Sequence, residues 1–209
     1  MGKASSKLLR TNLNIPLIFT LSIIPDADIL LEHSGLVQHR GPTHSIILAI
    51  IVFAPIIVIY RKKALPYLIA LASHTLVGDF LSGGQFQLFW PVTTRQYGIG
   101  MSVTSQTGVV LELTAFLASL AIMMASRDLT GLVQSRVSNL ILAVPTFTVI
   151  LPVFLSYPMQ VPAWLIPPHV IYLALFTASI LIALPRTAKI IRAKLDPAQP
   201  GKRAHKETL

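Results

Sequence analysis

The chain reads as an all-α protein, a polytopic membrane helical bundle, and three observations point there. Hydrophobic residues fill 53% of its 209 positions and charged residues only 12%, with a mean hydropathy of +0.68, which is too apolar for an ordinary soluble domain. Six stretches are long and apolar enough to cross a bilayer, which takes about 20 residues and tolerates roughly 17 to 25. Lysine and arginine fall almost entirely in every second gap between those stretches, as the positive-inside rule requires of a multi-pass protein.

The six expected spans are residues 13–31, 44–60, 64–82, 108–126, 137–155 and 163–184. The first follows Lys3, Lys7 and Arg10, a basic start that imitates a signal peptide. It runs into Pro25-Asp26 without a small-residue cleavage site, so it is read as a retained span. Arg61, Lys62 and Lys63 separate the second and third spans, and Arg127 and Arg136 lie between the fourth and fifth. Arg186, Lys189, Arg192, Lys194, Lys202, Arg203 and Lys206 follow the sixth. With the N-terminus inside, every one of the 17 basic residues except Arg40 and Arg95 is cytoplasmic. The expected protein therefore sits in the cell membrane with both termini in the cytoplasm.

Between spans three and four lies a connection of about 25 residues, Gly83 to Thr107, longer than most loops and rich in Gly, Ser, Thr and Gln. It carries Phe86, Phe89, Trp90 and Tyr97, which suits a lid lying over the outer face. Residues 1–194 are read as one integral membrane domain. Residues 195–209, with Pro197, Pro200 and Gly201 among charges, are read as a disordered cytoplasmic tail. The net charge of +9 resides in the loops and tail, so it implies no nucleic-acid partner. The expected partners are the lipid bilayer and an anionic small-molecule or lipid substrate; no internal repeat or other feature sets an oligomeric state.

The acidic and histidine residues distribute the other way. Asp26 and Asp28 lie toward the outer end of span one, His39 and Arg40 in the outer loop, and His44 at the outer start of span two. His74 and Asp79 lie on span three as it approaches the same face, and Glu112 just inside the outer end of span four. A topology built from basic residues alone thus collects the chemistry on one side. There is no cysteine, so a metal here must be held by oxygen and imidazole.

Each cluster has a local logic. Asp26 and Asp28 would point about 200° apart on a regular helix, but Pro25 makes an irregular helix end on which both carboxylates can face one ion. Pro42 suits the first turn of span two, whose free N–H groups then point, beside Arg40, to a place for an anion. His74 and Asp79 are five apart, about 140° off one face of a regular helix, so either Gly78 loosens the helix or Asp79 orients His74 without binding the ion. Glu112, a carboxylate within the membrane, needs a partner and serves as ligand, general base or packing residue. Glu32, His33 and His169 are read as interface residues, and His205 as part of the tail.

At these clusters the sequence resembles the membrane-bound metal-dependent hydrolases, whose bacterial members include LexA-regulated inner-membrane proteins. The matching residues are Pro25-Asp26-x-Asp28, His39-Arg40-Gly41-x-Thr43-His44-Ser45, Ser73-His74 followed by Asp79, and Phe89-Trp90-Pro91. The resemblance covers about one third of the chain, and the run from His39 to Ser45 is its specific part. It implies a multi-span protein with a divalent metal and a hydrolase activity. The family pattern sets the histidine and aspartate four apart, and here they are five.

The sequence therefore leads to a membrane-embedded, metal-dependent hydrolase acting at the outer face on an anionic substrate, such as a phosphoester or a lipid-linked one. The expected metal ligands are Asp26, Asp28, His39, His44 and His74. Arg40, Asp79 and Glu112 are the expected catalytic groups, and one or two divalent ions, zinc first, the cofactor. A proton- or cation-coupled transporter is the first alternative, since such residues also mark ion routes. Its path would have to pass Val52 to Ile59 and Leu120 to Ala125, where no side chain ionises. A non-catalytic membrane protein with a structural metal site is the second alternative.

Overall fold

Asparagine, serine and proline set where the helices start. Asn14 accepts the Leu17 N–H (3.2 Å) and Pro16 occupies the first turn at the head of α2, Ile15–Ile23. Ser45 accepts the Leu48 N–H (3.3 Å) to open α4, Ile46–Tyr60, and Ser105 accepts that of Gly108 (3.1 Å) to open α6, Gln106–Ala125. Pro66 stands in the first turn of α5, Leu65–Ser73. The computed structural model describes residues 1–32, 35, 38–155 and 161–195; His33 and the expected tail from 196 onward lie outside the described residues.

Several of these helices change winding along their length. α2 continues through a 3₁₀ turn, Ile24–Asp28, into α3, Ile29–Glu32. α5 continues into a π-helical segment, His74–Gly83. Beyond the short α7, Asp128–Leu132, one rod combines a 3₁₀ turn (Val137–Leu142), α8 (Ala143–Pro145), a π turn (Thr146–Ile150) and α9 (Leu151–Leu155). A 3₁₀ turn at Ala163–Leu165 leads into α10, Ile166–Leu195. The N-terminal α1, Gly2–Leu9, packs against α5 so closely that a Cβ on Gly2 would stand 2.7 Å from the Pro66 carbonyl oxygen.

Among the described residues, four helical rods are long and apolar enough to cross a membrane: Leu65–Ser82, Gln106–Ala125, Val137–Leu155 and Ala163–Leu195. Among the expected six spans, the first forms a continuous helical rod over residues 15–32 but carries Asp26, Asp28 and Glu32. The second, α4, is apolar on every side but has 15 residues, a rise of about 22 Å against a hydrocarbon core of about 30 Å. α10 runs past residue 184 to Leu195, because Arg186, Lys189, Arg192 and Lys194 end the apolar stretch without ending the helix.

The packing is that of a bundle in lipid. The buried core, Leu132, Leu142, Ile150 and Phe176, lies where α2, the 137–155 rod and α10 meet. Phe19 sits edge-on to both Phe176 and Tyr172, with ring centroids 5.5 and 6.3 Å away. α4, by contrast, buries only Phe53 and leaves Ile50, Ile51, Val58 and Ile59 exposed, as expected of a helix facing hydrocarbon. Buried polar groups join the rods: Thr20 donates to the Ile141 carbonyl, and the Asn139 amide to those of Leu132 and Gln134.

The two ends of the bundle differ in chemistry. At one end Lys3 pairs with Asp128, and Lys3, Arg127 and Arg136 line a shared cleft. At the other, the 84–105 segment folds back over the start of α4. Phe86 and Tyr97 exchange backbone hydrogen bonds (3.0 and 2.9 Å), Ile46 N–H donates to the Leu88 carbonyl, and Ser45 Oγ to that of Trp90. Phe86 is completely buried in this fold-back, which closes over the residues described next.

Candidate metal centre

Two imidazoles are held by one ring nitrogen each so that the other faces a common point. His74 Nδ1 donates to the Ser22 carbonyl (2.9 Å), which turns Nε2 away from α2. His44, fully buried, places Nδ1 3.1 Å from Thr43 Oγ1, whose hydroxyl donates in turn to Asp28 Oδ2; this relay leaves Nε2 with a lone pair. Asp26 Oδ1 then lies 3.3 Å from His44 Nε2 and 3.2 Å from His74 Nε2, and Asp79 Oδ2 lies 3.4 Å from each. Four electron-pair donors converge there, all within 4.8 Å of one another: Asp26 from the turn after α2, His44 from a 3₁₀ turn, Pro42–His44, that precedes α4 instead of forming its first turn as expected, and His74 and Asp79 from the π segment after α5.

The donor set fits a metal ion. A cation with bonds of about 2.0–2.2 Å held tetrahedrally sets its ligand atoms about 3.3–3.6 Å apart, and the four His-to-Asp separations, 3.2–3.4 Å, lie at the short end of that spacing. Two carboxylates facing two neutral imidazoles carry two negative charges, which a divalent ion cancels inside a membrane, where uncompensated charge is costly. Asp79 Oδ2 is buried with no hydrogen-bond partner, as befits an atom meant for something else. The cluster of Asp26, His44, His74 and Asp79 can therefore hold a metal ion.

Winding explains how the sequence assembles this set. A π-helix hydrogen-bonds residues five apart and so stacks them on one face, which is how His74 and Asp79 both reach the centre from one segment. In the 3₁₀ turn, residues two apart are turned about 240° from one another, which is about 120° by the shorter way, and so lie on different faces. Asp26 accordingly faces the Nε2 atoms while Asp28 stands on the opposite side of His44, its Oδ2 3.5 Å from Nδ1.

Asp28, His39 and His44 form a second cluster of possible ligands. Its carboxylate is fully buried and well supplied with donors: His39 Nδ1 at 2.7 Å, the Arg40 N–H at 3.3 Å and the Thr43 hydroxyl. The His39 ring stands edge-on to that of His44, centroids 5.4 Å apart. Arg40 adopts a left-handed backbone, φ 62°, and its Nε, buried without a hydrogen-bond partner, lies 3.8 Å from Asp79 Oδ1.

A cavity of about 310 Å³ opens beside the four-ligand cluster, lined by Asp26, His74, Asp79 and Arg40 on one side and by Glu112, Ser82 and His169 on the other. Ser82 Oγ donates to Glu112 Oε1. All eight residues singled out from the sequence thus lie in one region, Asp28 and His39 behind His44 and Glu112 across the cavity. His169 is the one that sequence reasoning passed over. The 3₁₀ turn at Ala163–Leu165 brings it there, and its Nδ1 donates to the Leu165 carbonyl at 2.7 Å.

Fold and site together define a multi-pass helical membrane protein with a buried histidine–aspartate cluster at one end of its helices. A family model described as YdjM inner membrane protein matches residues 2–159, and the chain belongs to that family. Comparison with curated proteins and with solved structures returns no match. The membrane part of the sequence resemblance stands on the family match, and a hydrolase part has to rest on the site.

Proposed function

We propose that this protein is a metal-dependent hydrolase of the membrane, with Asp26, His44, His74 and Asp79 as ligands. The observation that carries the reading is the convergence of two imidazole Nε2 atoms and two carboxylate oxygens, with His-to-Asp separations of 3.2–3.4 Å, beside a cavity that Asp26, His74 and Asp79 line. Zinc suits this nitrogen and oxygen set. On this reading Asp28 and His39 hold His44 in place from behind, because the Asp28 carboxylate is already occupied by donors.

A divalent ion bound here supplies Lewis acidity and an activated water. Glu112, hydrogen-bonded by Ser82 on the far wall, is the carboxylate free to take up a proton in the cavity. Arg40, its Nε unpartnered, offers its guanidinium to an anionic group such as a phosphoester. The site faces the outer side in this reading. What supports that is its distance from the basic end: His74 is about 16 Å along its helix from Lys63.

A second reading has its own observation: a four-ligand tetrahedral set is the pattern of a closed, structural site. Elemental analysis of the detergent-purified protein beside His44→Ala and His74→Ala tests both. Stoichiometric metal in the parent and little in either variant is expected, together with metal-dependent cleavage of phosphoesters. Metal that binds and stabilises without any cleavage would favour the structural reading, and a folded parent that takes up no supplied metal would sink both. For orientation, a reporter fused after Lys63 should be cytoplasmic and one near Thr104 external; the reverse pair of signals would turn the site inward.

A further inference from the structure

The cavity beside the cluster does not end at Glu112. A second chamber of about 380 Å³ adjoins it, and Asp26, Glu112, Leu165 and His169 belong to the walls of both. Beyond that shared neck the lining changes character: Ile23, Phe116, Val149, Ile150 and Tyr172 enclose it, with Phe116 and Tyr172 edge-on at 5.3 Å. The walls belong to α6, the π turn at Thr146–Ile150 and α10, all parts of rods long enough to cross the membrane. α6 packs mainly against turns near its two ends, the π segment of α5 and the Ala163–Leu165 turn at one and α7 at the other. Between those ends it meets α10 through side chains, Phe116 on Tyr172 among them, and Ala115, on the chamber wall, is exposed.

Each chamber alone is of ligand size, roughly 300–1,000 Å³ being usual. One is polar and holds the metal candidates, the guanidinium and a carboxylate; the other is lined mainly by apolar side chains of membrane-spanning rods. We infer that the substrate is a single-chain amphiphile: its anionic head lies between the metal cluster and Arg40, and its hydrocarbon chain lies in the chamber between α6 and α10. This rests on the hydrolase reading for the head and adds the chain. Glu112 and His169, at the neck, then meet the substrate where head and chain join. An apolar chain in this chamber leaves no buried polar group unpaired, whereas a sugar or peptide there would.

The test measures binding of ethyl-, hexyl- and dodecylphosphonate, which keep the anionic head and resist hydrolysis, to the metal-loaded full-length protein in detergent. Ala115→Trp and Ser119→Phe, which fill the chamber from α6, are measured alongside, with metal content as the check that each is folded. In the parent, affinity should rise about fourfold per methylene, the gain expected for burying a CH₂. In the filled variants the ethyl compound should bind as before and the rise should flatten. An equal rise in parent and filled variants would mean that the chains partition into detergent, and would overturn the inference. Ethylphosphonate binding with no dependence on chain length would overturn it while sparing the hydrolase reading. Failure of every phosphonate to bind metal-loaded protein would remove the anion site itself. A chain-length dependence that persists after metal removal would detach the chamber from the site and so also overturn the inference.

Discussion

Two segments of this molecule deliver carboxylates to the same neighbourhood by opposite means. The 3₁₀ turn Ile24–Asp28, wound tighter than an α-helix, still leaves Asp26 and Asp28 on different faces, one on either side of His44. The π segment His74–Gly83 is wound more loosely and gathers His74 and Asp79, five residues apart, onto one face. The contrast shows that the winding of the helix decides which side chains share a centre. Asp26 and Asp28 are near neighbours in sequence with different surroundings, while His74 and Asp79 are farther apart with one.

The sharpest way to break this comparison is to change the winding. Deleting Gly78 leaves His74 and the aspartate four apart, a spacing that an α-turn places on one face. A Cβ at Gly78 would meet nothing within 4 Å, so no packing contact depends on this position. Metal binding should survive the deletion within about tenfold, as the helix takes up regular winding. Inserting an alanine after Gly78 makes the spacing six and should abolish stoichiometric metal. Elemental analysis of both variants decides it, and loss of metal on deletion would mean that the π winding itself holds the site. The deletion also moves Ser82 by one position, so cleavage should fall even where metal stays, because Glu112 loses its hydrogen-bond donor.

The other arm of the comparison gives a smaller effect. If Asp28 serves only to orient His44 and His39, Asp28→Asn should lower metal affinity by about 10- to 100-fold, the usual cost of losing an outer partner of a ligand. Asp26→Asn should remove it altogether. Titrating the apo-protein with zinc measures both, and equal losses would return Asp28 to the ligand set.

Much of the site was legible from residue types alone. Aspartate and histidine at membrane depth are rare enough to be noticed, and the basic residues place them together without any knowledge of geometry. What stayed hidden was mostly the winding. Regular winding puts His74 and Asp79 on different faces unless Gly78 loosens the helix, and the irregular end expected after Pro25 leaves Asp26 and Asp28 on either side of His44. Pro25 did mark the 3₁₀ turn, but nothing local announces a π segment ten residues long. His169 was read as an interface residue, and only the turn at Ala163–Leu165 brings it to the cavity. α10 also outruns the expected span: hydropathy finds where lipid stops, and this helix continues beyond that.

The last prediction concerns Arg40, which already carries a Cβ in a left-handed backbone at φ 62°. Arg40→Ala keeps that backbone cost unchanged, so it is the cleaner variant, whereas glycine would relieve it and free the chain as well. In the alanine variant the backbone N–H still reaches Asp28 Oδ2 and the carbonyl still accepts the Gln87 N–H, because neither bond involves the side chain. Only the side chain beyond Cβ is lost. Metal content should therefore stay at the parent level while binding of an anionic substrate or phosphonate weakens by roughly tenfold to a hundredfold, the range for one charge-assisted hydrogen bond. Arg40→Lys should recover part of that loss, because it restores the charge but not the planar fork. If metal falls with the guanidinium, the 3.8 Å approach of Nε to Asp79 Oδ1 is what holds the ligand in place. Arg40 would then belong with Asp28 among the residues that position the centre, leaving the anion to the metal itself.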